Sequence, residues 1–251
     1  MLVLCSAREA AAKNPPTSDA LTAITKRGVL LAEYDAAARQ STDAVTAAHP
    51  VNGLIERYIA RKTDVGRVVD FGRLNGSGDK FLVAYEAVQA GSSAKYEVRS
   101  FNPVREDMGW NLATAKAVDL ATKDFGPTTR PYNIAVFPAD GGSLYVYMYP
   151  AQVKAGVYPV GGDVRYRVSP DGSKITETRQ MHKTIIESAS AGPKVKVESG
   201  YHSHVLSNVP EDTDVLLVLT RQPKVPEIVV TQHFMYTIAT DGTITVANRP
   251  K

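Results

Sequence analysis

Arg67-Val68-Val69-Asp70-Phe71-Gly72-Arg73-Leu74, then Asn75-Gly76-Ser77-Gly78-Asp79, then Lys80-Phe81-Leu82-Val83-Ala84-Tyr85-Glu86-Ala87-Val88-Gln89, is the stretch that decides the fold class. Two runs rich in β-branched and aromatic residues flank a turn of asparagine, glycine and aspartate, which predicts a β-hairpin. Gly91-Ser92-Ser93 turns the chain into a third strand, Lys95 to Phe101. The same grammar returns downstream. Tyr132 to Pro138 and Ser143 to Tyr149 read as a hairpin across Ala139-Asp140-Gly141-Gly142. Tyr166 to Ile175 and Tyr236 to Ile244 each place Asp-Gly where a tight turn needs positive φ. Gln152 to Val160, Lys174 to Glu187, Val195 to Val205, Glu227 to Thr231 and Phe234 to Val246 complete a set of about ten strands. Val215 to Arg221 fits a strand or a short helix.

Upstream the period is helical. Ser18-Asp19 can cap a helix, and Ala20, Leu21, Ile24, Leu30, Leu31 and Tyr34 recur at helical spacing. A second cluster, Ser41 to Asp43, opens another alanine-rich stretch, and Leu54, Ile55, Tyr58 and Ile59 extend an apolar face beyond Pro50. The reading is two or three helices over Ser18 to Lys62. Glu106 to Phe125 is a further helix ended by Gly126-Pro127. Adjacent strands joined by short turns argue antiparallel pairing, so the fold class expected is α+β: a helical N-terminal segment, then mainly antiparallel sheet with one further helix. The division expected is 1–16 as a disordered or remnant signal segment, 17–126 as helices with a small sheet, and 127–251 as a β-rich domain.

Composition narrows the function classes. Of 251 residues, 43% are hydrophobic and 22% charged, which suits a globular chain with a sizeable core. The net charge of +3 is mild and the basic residues are scattered, so nucleic acid is a poor partner. The single cysteine, Cys5, leaves no intramolecular disulfide and no CxxC metal knuckle. No apolar run is long enough to cross a bilayer. Met1 to Ala7 reads as the end of an apolar signal core, with Lys13 to Thr17 as linker, which suggests export to the periplasm or beyond. Two familiar triplets are set aside. Asp70-Phe71-Gly72 has no kinase catalytic loop before it, and Gly76-Ser77-Gly78 lacks a phosphate-loop lysine and helix. Tyr145, Tyr147 and Tyr149 share one strand face, the pattern of a packed sheet surface, with a ligand-binding aromatic face as the alternative.

The chemistry concentrates at Gly200-Tyr201-His202-Ser203-His204 and the acidic turn Glu211-Asp212-Thr213-Asp214. Residues i and i+2 of a strand share a face, so both imidazoles can aim at one point. A returning carboxylate then completes a three-ligand site with an open position, the arrangement of catalytic zinc. His182 offers another ligand set, three imidazoles without Asp214, and His233 is a more distant candidate.

His202-Ser203-His204 followed by Asp214 resembles the JAMM/MPN metalloprotease signature, over roughly residues 201–244. The departures are Val205 where proline is usual, Glu211 where the loop serine is usual, and a gap from His204 to Asp214 about one residue shorter than the common spacing. The resemblance implies zinc on His202, His204 and Asp214, with Asp212 as substitute ligand, and a glutamate from an earlier strand as general base. Glu177 and Glu187 are the candidates for that base. It further implies hydrolysis of a peptide, isopeptide or related amide by a zinc-activated water. The contrasting expectation is a non-catalytic exported or envelope-associated binding protein on a similar β-rich scaffold. The sequence leaves substrate and oligomeric state open.

Overall fold

The computed structural model describes residues 14–64, 66–91, 93–189 and 196–249. The signal-remnant reading therefore falls mostly outside the described residues, as does the start of the strand expected from Val195. The architecture is α+β, with elements numbered in chain order.

The first element corrects the sequence reading. α1, Ser18–Ala47, is a single helix of 30 residues rather than two or three. Thr17 caps it, accepting from the Ala20 amide at 3.2 Å. Ser41 begins no new helix, because its hydroxyl donates back to the Ala38 carbonyl inside the same one. Leu21, Ile24, Gly28, Leu31, Tyr34, Ala38, Ser41 and Val45 form its buried stripe, three or four residues apart. The chain leaves the helix through His49, at φ 53°, and Pro50. Arg57–Thr63 is then strand β1, not a last helical turn, paired antiparallel from Arg57↔Gly72 to Thr63↔Gly66. Pairing along the whole segment outweighs the chance helical spacing of Leu54, Ile55 and Tyr58.

β2 (Gly66–Leu74), β3 (Phe81–Gln89) and β4 (Tyr96–Asp107) join β1 in a four-stranded antiparallel meander. α2, Trp110–Phe125, follows and ends at Gly126. A second sheet has the order β5-β6-β8-β9, from Tyr132–Pro138, Leu144–Pro150, Val164–Val168 and Ile175–Gln180. β7 (Val157–Gly161) and β10 (Ile185–Ala189) form a separate two-stranded ribbon. Thus the strand expected from Lys174 to Glu187 is two strands in two sheets, broken at Met181 to Thr184.

The last sheet orders β11 (Gly200–Ser203), β12 (Glu227–Val230), β13 (Phe234–Ile238) and β14 (Ile244–Asn248). β11 and β12 are parallel, with His202 opposite Val229. Parallel neighbours need a crossover, and α3, Asp212–Thr220, supplies it. That resolves the segment from Val215 as helix. Both Asp-Gly turns form, with Gly172 at φ 77° and Gly242 at φ 89°.

One core runs through α1, the first two sheets and α3, taking in Leu31, Tyr34, Val69, Phe71, Phe137, Tyr147 and Leu216. It continues across the Gly126-Pro127 point. Tyr147 stacks on Phe137 at 5.1 Å between centroids, and its hydroxyl donates to Asp212 at 2.7 Å. α1 lies so close to α3 that a Cβ built on Gly28 meets Val215 Cβ at 2.4 Å. This contact seats the N-terminal turn of α3, where the site begins.

Candidate metal centre

Four side chains from three elements converge. His202 lies on β11 and His204 directly after it, two residues apart and both facing inward. His182 comes from the break between β9 and β10, and Asp214 from the first turn of α3. One ligand atom from each lies within 4.8 Å of every other. His182 Nε2 is 2.8 Å from His204 Nε2, and His202 Nε2 is 3.1 Å from His204 Nε2. Asp214 Oδ1 stands 3.1 Å from His202 Nε2 and 3.3 Å from His182 Nε2, and Oδ2 stands 3.2 Å from His204 Nε2. Zinc–nitrogen bonds of 2.0–2.1 Å give a tetrahedron with edges of about 3.3 Å, close to this set.

The outer atoms fix the protonation pattern. His182 Nδ1 meets Asp163 Oδ1 at 2.7 Å, and His202 Nδ1 meets Glu227 Oε1 at 2.7 Å. His204 Nδ1 meets the Val209 carbonyl at 3.0 Å. Carboxylates and carbonyls only accept, so each Nδ1 carries the proton and donates. In the neutral tautomer all three Nε2 lone pairs then face one another and the Asp214 carboxylate, with no donor between them. Such a centre requires a cation, either a metal ion or bound protons. This is the outer shell that orients histidine ligands in metal sites.

The protonated alternative has its own signature. Burial works against charging His182, but Asp214 and Asp163 outweigh it and push its pKa up to about 11. Burial likewise opposes His202, and its hydrogen bonds to Asp214 and Glu227 push it up to about 9. Burial alone would raise Asp214; the neighbouring His204 and His182 instead hold it well below the usual carboxylate range. The cluster can hold a metal ion once those protons leave.

The scaffold around it is tied down. Glu211 and Asp214 form a reciprocal capping box on α3, the Glu211 amide donating to Asp214 Oδ2 at 2.7 Å. The Glu211 carboxylate takes a fork from Arg179, at 2.9 and 2.7 Å. Asp163 also accepts from Thr213 of α3. Glu227 is held by Arg221 at 2.5 Å, and a Cβ on Gly200 would stand 1.9 Å from that carboxylate. Glycine at the start of β11 therefore makes room for the Glu227–Arg221 pair.

The structure brings His182, His202, His204 and Asp214 together, so the two ligand sets of the sequence reading merge into one. Asp212, the substitute ligand, is turned into a different buried network: Arg27 Nε at 3.0 Å, Arg165 at 2.7 Å and the Tyr147 hydroxyl. Glu177 stands 3.7 Å from Arg165, and Glu187 pairs with Arg130 at 2.6 Å; neither joins the cluster. His233, beside Phe234, is also outside it. Asp163 and Glu227 went unnoticed in the sequence. Their only signals there are two glycines before Asp163 and a proline before Glu227.

A small cavity of about 40 Å³ reaches the centre from the surface, lined by His182, His202 and Lys183 among others. Val205, Leu206 and Ile186 on its wall are exposed. Compared with known proteins, the chain matches no family model, no curated protein and no solved structure. No helix among the described residues is long and apolar enough to cross a membrane.

Proposed function

We propose that the chain is a zinc protein of JAMM-like layout, in which His202, His204 and Asp214 hold the ion and His182 closes the fourth position. The observation that carries this is the meeting of three Nε2 lone pairs and one carboxylate at tetrahedral spacing, each imidazole anchored through its Nδ1. Nitrogen and oxygen donors in a four-coordinate set suit zinc. With the tetrahedron filled by protein, zinc acts as a clasp. It ties the β9–β10 break, β11 and α3 together and leaves no position for a reacting water.

A second reading, hydrolysis of a peptide, isopeptide or related amide, is favoured by one observation. His182 is the most exposed of the four ligands, at 9%, and lines the surface cavity. If His182 leaves the ion, the vacated position opens toward that cavity, and zinc regains room for water. Glu177 and Glu187 are held in ion pairs, so neither supports this reading as base.

Metal analysis of protein purified without a histidine tag tests the first reading. One zinc per chain is expected, and metal-free protein of unchanged stability would overturn it. His182→Ala separates the two readings. A clasp loses zinc affinity and thermal stability with this variant. A hydrolytic centre keeps zinc on three ligands, and its cobalt-substituted spectrum reports a solvent ligand.

A further inference from the structure

Two cavities lie apart from the three histidines and share one wall. The smaller, about 270 Å³, sits between α1, β1, α2 and β5. The larger, about 880 Å³, runs along α1 toward α3 and the β6–β7 connection. Both are lined by Asp35, Tyr58, Asn133 and Tyr149. These four residues mark the throat where the two cavities abut, and volumes of this order take small organic ligands.

The throat carries a single charge. Tyr149 donates to Asp35 Oδ1 at 2.7 Å, while Oδ2 has no hydrogen-bond partner among the described residues. Tyr58 spends its hydroxyl proton on the Ile134 carbonyl at 3.0 Å, so it does not satisfy Asp35. Arg57, on the wall of the smaller cavity, is held by Asp119 at 2.6 Å and the Ala115 carbonyl at 3.1 Å, and its buried Nε has no partner among the described residues. An anion entering the throat would meet the Asp35 carboxylate; Arg39, one turn along α1 on the exposed wall of the larger cavity, forms no ion pair with it. A neutral ligand would leave the open oxygen shielded from water and unpaired, which is costly. A positively charged N–H group meets that oxygen with a charge-assisted hydrogen bond. Ile59, Ile134 and Val136 then offer apolar wall to the rest of the molecule.

We propose that this cleft binds a small organic cation, with its ammonium group against Asp35 and its apolar body in the smaller cavity. The charge state agrees with this. Burial holds the Asp35 carboxyl above the usual carboxylate range, with the Tyr149 hydrogen bond and the Arg39 charge pulling the other way. A bound cation stabilises the ionised form. The larger cavity also touches Asp163 and Asp214 at its far end, but the proposal uses neither.

The test compares 2-phenylethylamine with its neutral counterpart 2-phenylethanol on the full chain, by calorimetry and by amide chemical-shift mapping. The amine is expected to bind at least tenfold more tightly and to shift the resonances of Asp35, Tyr58 and Asn133. Asp35→Asn keeps an acceptor for Tyr149 and is expected to abolish the preference. Equal affinities, no shifts at the throat, or a preference that survives Asp35→Asn would overturn the proposal. The amine–alcohol comparison on the wild-type chain decides the matter even where the variant fails to fold. Both measurements are repeated after chelation. The preference is expected to persist, and its loss would reassign the effect to the metal centre and overturn the proposal.

Discussion

Asp212 and Asp214 stand two residues apart on α3, both fully buried, and their amide variants are expected to part company. Asp214→Asn removes the carboxylate that stands 3.1–3.3 Å from three imidazole nitrogens. In the metal-free chain it deletes one partner of a buried ionic set, which costs about 3–5 kcal/mol. At about 2–4 °C per kcal/mol for a chain of this size, the melting temperature falls by roughly 6–20 °C. The amide leaves only a neutral oxygen beside three imidazoles, so zinc affinity is expected to fall well below that of the wild-type chain. Asp212→Asn breaks ion pairs with Arg27 and Arg165 and weakens the Tyr147 bond, at a similar cost in stability. It touches no ligand atom, so one zinc per chain remains. The assay is metal content by mass spectrometry beside melting curves, on variants checked for fold by circular dichroism. An Asp214→Asn protein that holds zinc against a competing chelator as tightly as the wild type, or an Asp212→Asn protein that is folded and zinc-free, would refute the assignment.

Glu227→Gln leaves the shape of the outer shell but removes the charge behind His202, so zinc affinity is expected to fall about 10–100-fold, read by chelator competition. Zinc must displace the protons held by His182 and His202, whose pKa values are pushed up to about 11 and about 9. At pH 7 binding should release about two protons, measured by calorimetry in buffers of different ionisation heat, and affinity should weaken as pH falls. For the metal-free chain the sign runs the other way. A raised histidine pKa contributes stability that is full below about 6.5 and is lost as pH rises through the folded value. Metal-free protein should therefore weaken as pH climbs from about 6.5 toward about 9 for His202 and about 11 for His182, while zinc-loaded protein is spared that loss. Phe137→Ala, which empties a fully buried ring from the shared core, is expected to cost about 3–5 kcal/mol in denaturant titration without changing metal content.

The sheets were legible because alternation and Asp-Gly turns are local signals, and Tyr166–Ile175 and Tyr236–Ile244 fold as they read. The His202/His204 pair was legible for the same reason, since strand geometry alone puts i and i+2 on one side. The place of His182 was not. Strand parity counted from Glu177 and Glu187 would turn it away from the metal, but β9 ends at Gln180 and β10 joins a different ribbon, so parity does not carry across. Glu227 was hidden because it reaches His202 only through the parallel β11–β12 pairing that α3 makes possible. The helix-to-strand change after Pro50 was missed because Tyr58 and Ile59 fit either period; pairing with β2 decided it.

Gly28 is a residue without a side chain, on a helix that supplies no ligand, and yet it sets the position of a ligand. Val215, the neighbour of Asp214, occupies the space where a methyl group on residue 28 would go. A methyl group there would stand 2.4 Å from the Val215 Cβ and 2.7 Å from the Asp212 carbonyl, too close for either helix to keep its place. Any side chain at position 28 would push α3 outward and carry Asp214 with it. Zinc occupancy can thus serve as a gauge of how closely two helices lie, read at a point that neither the metal nor its histidines touch.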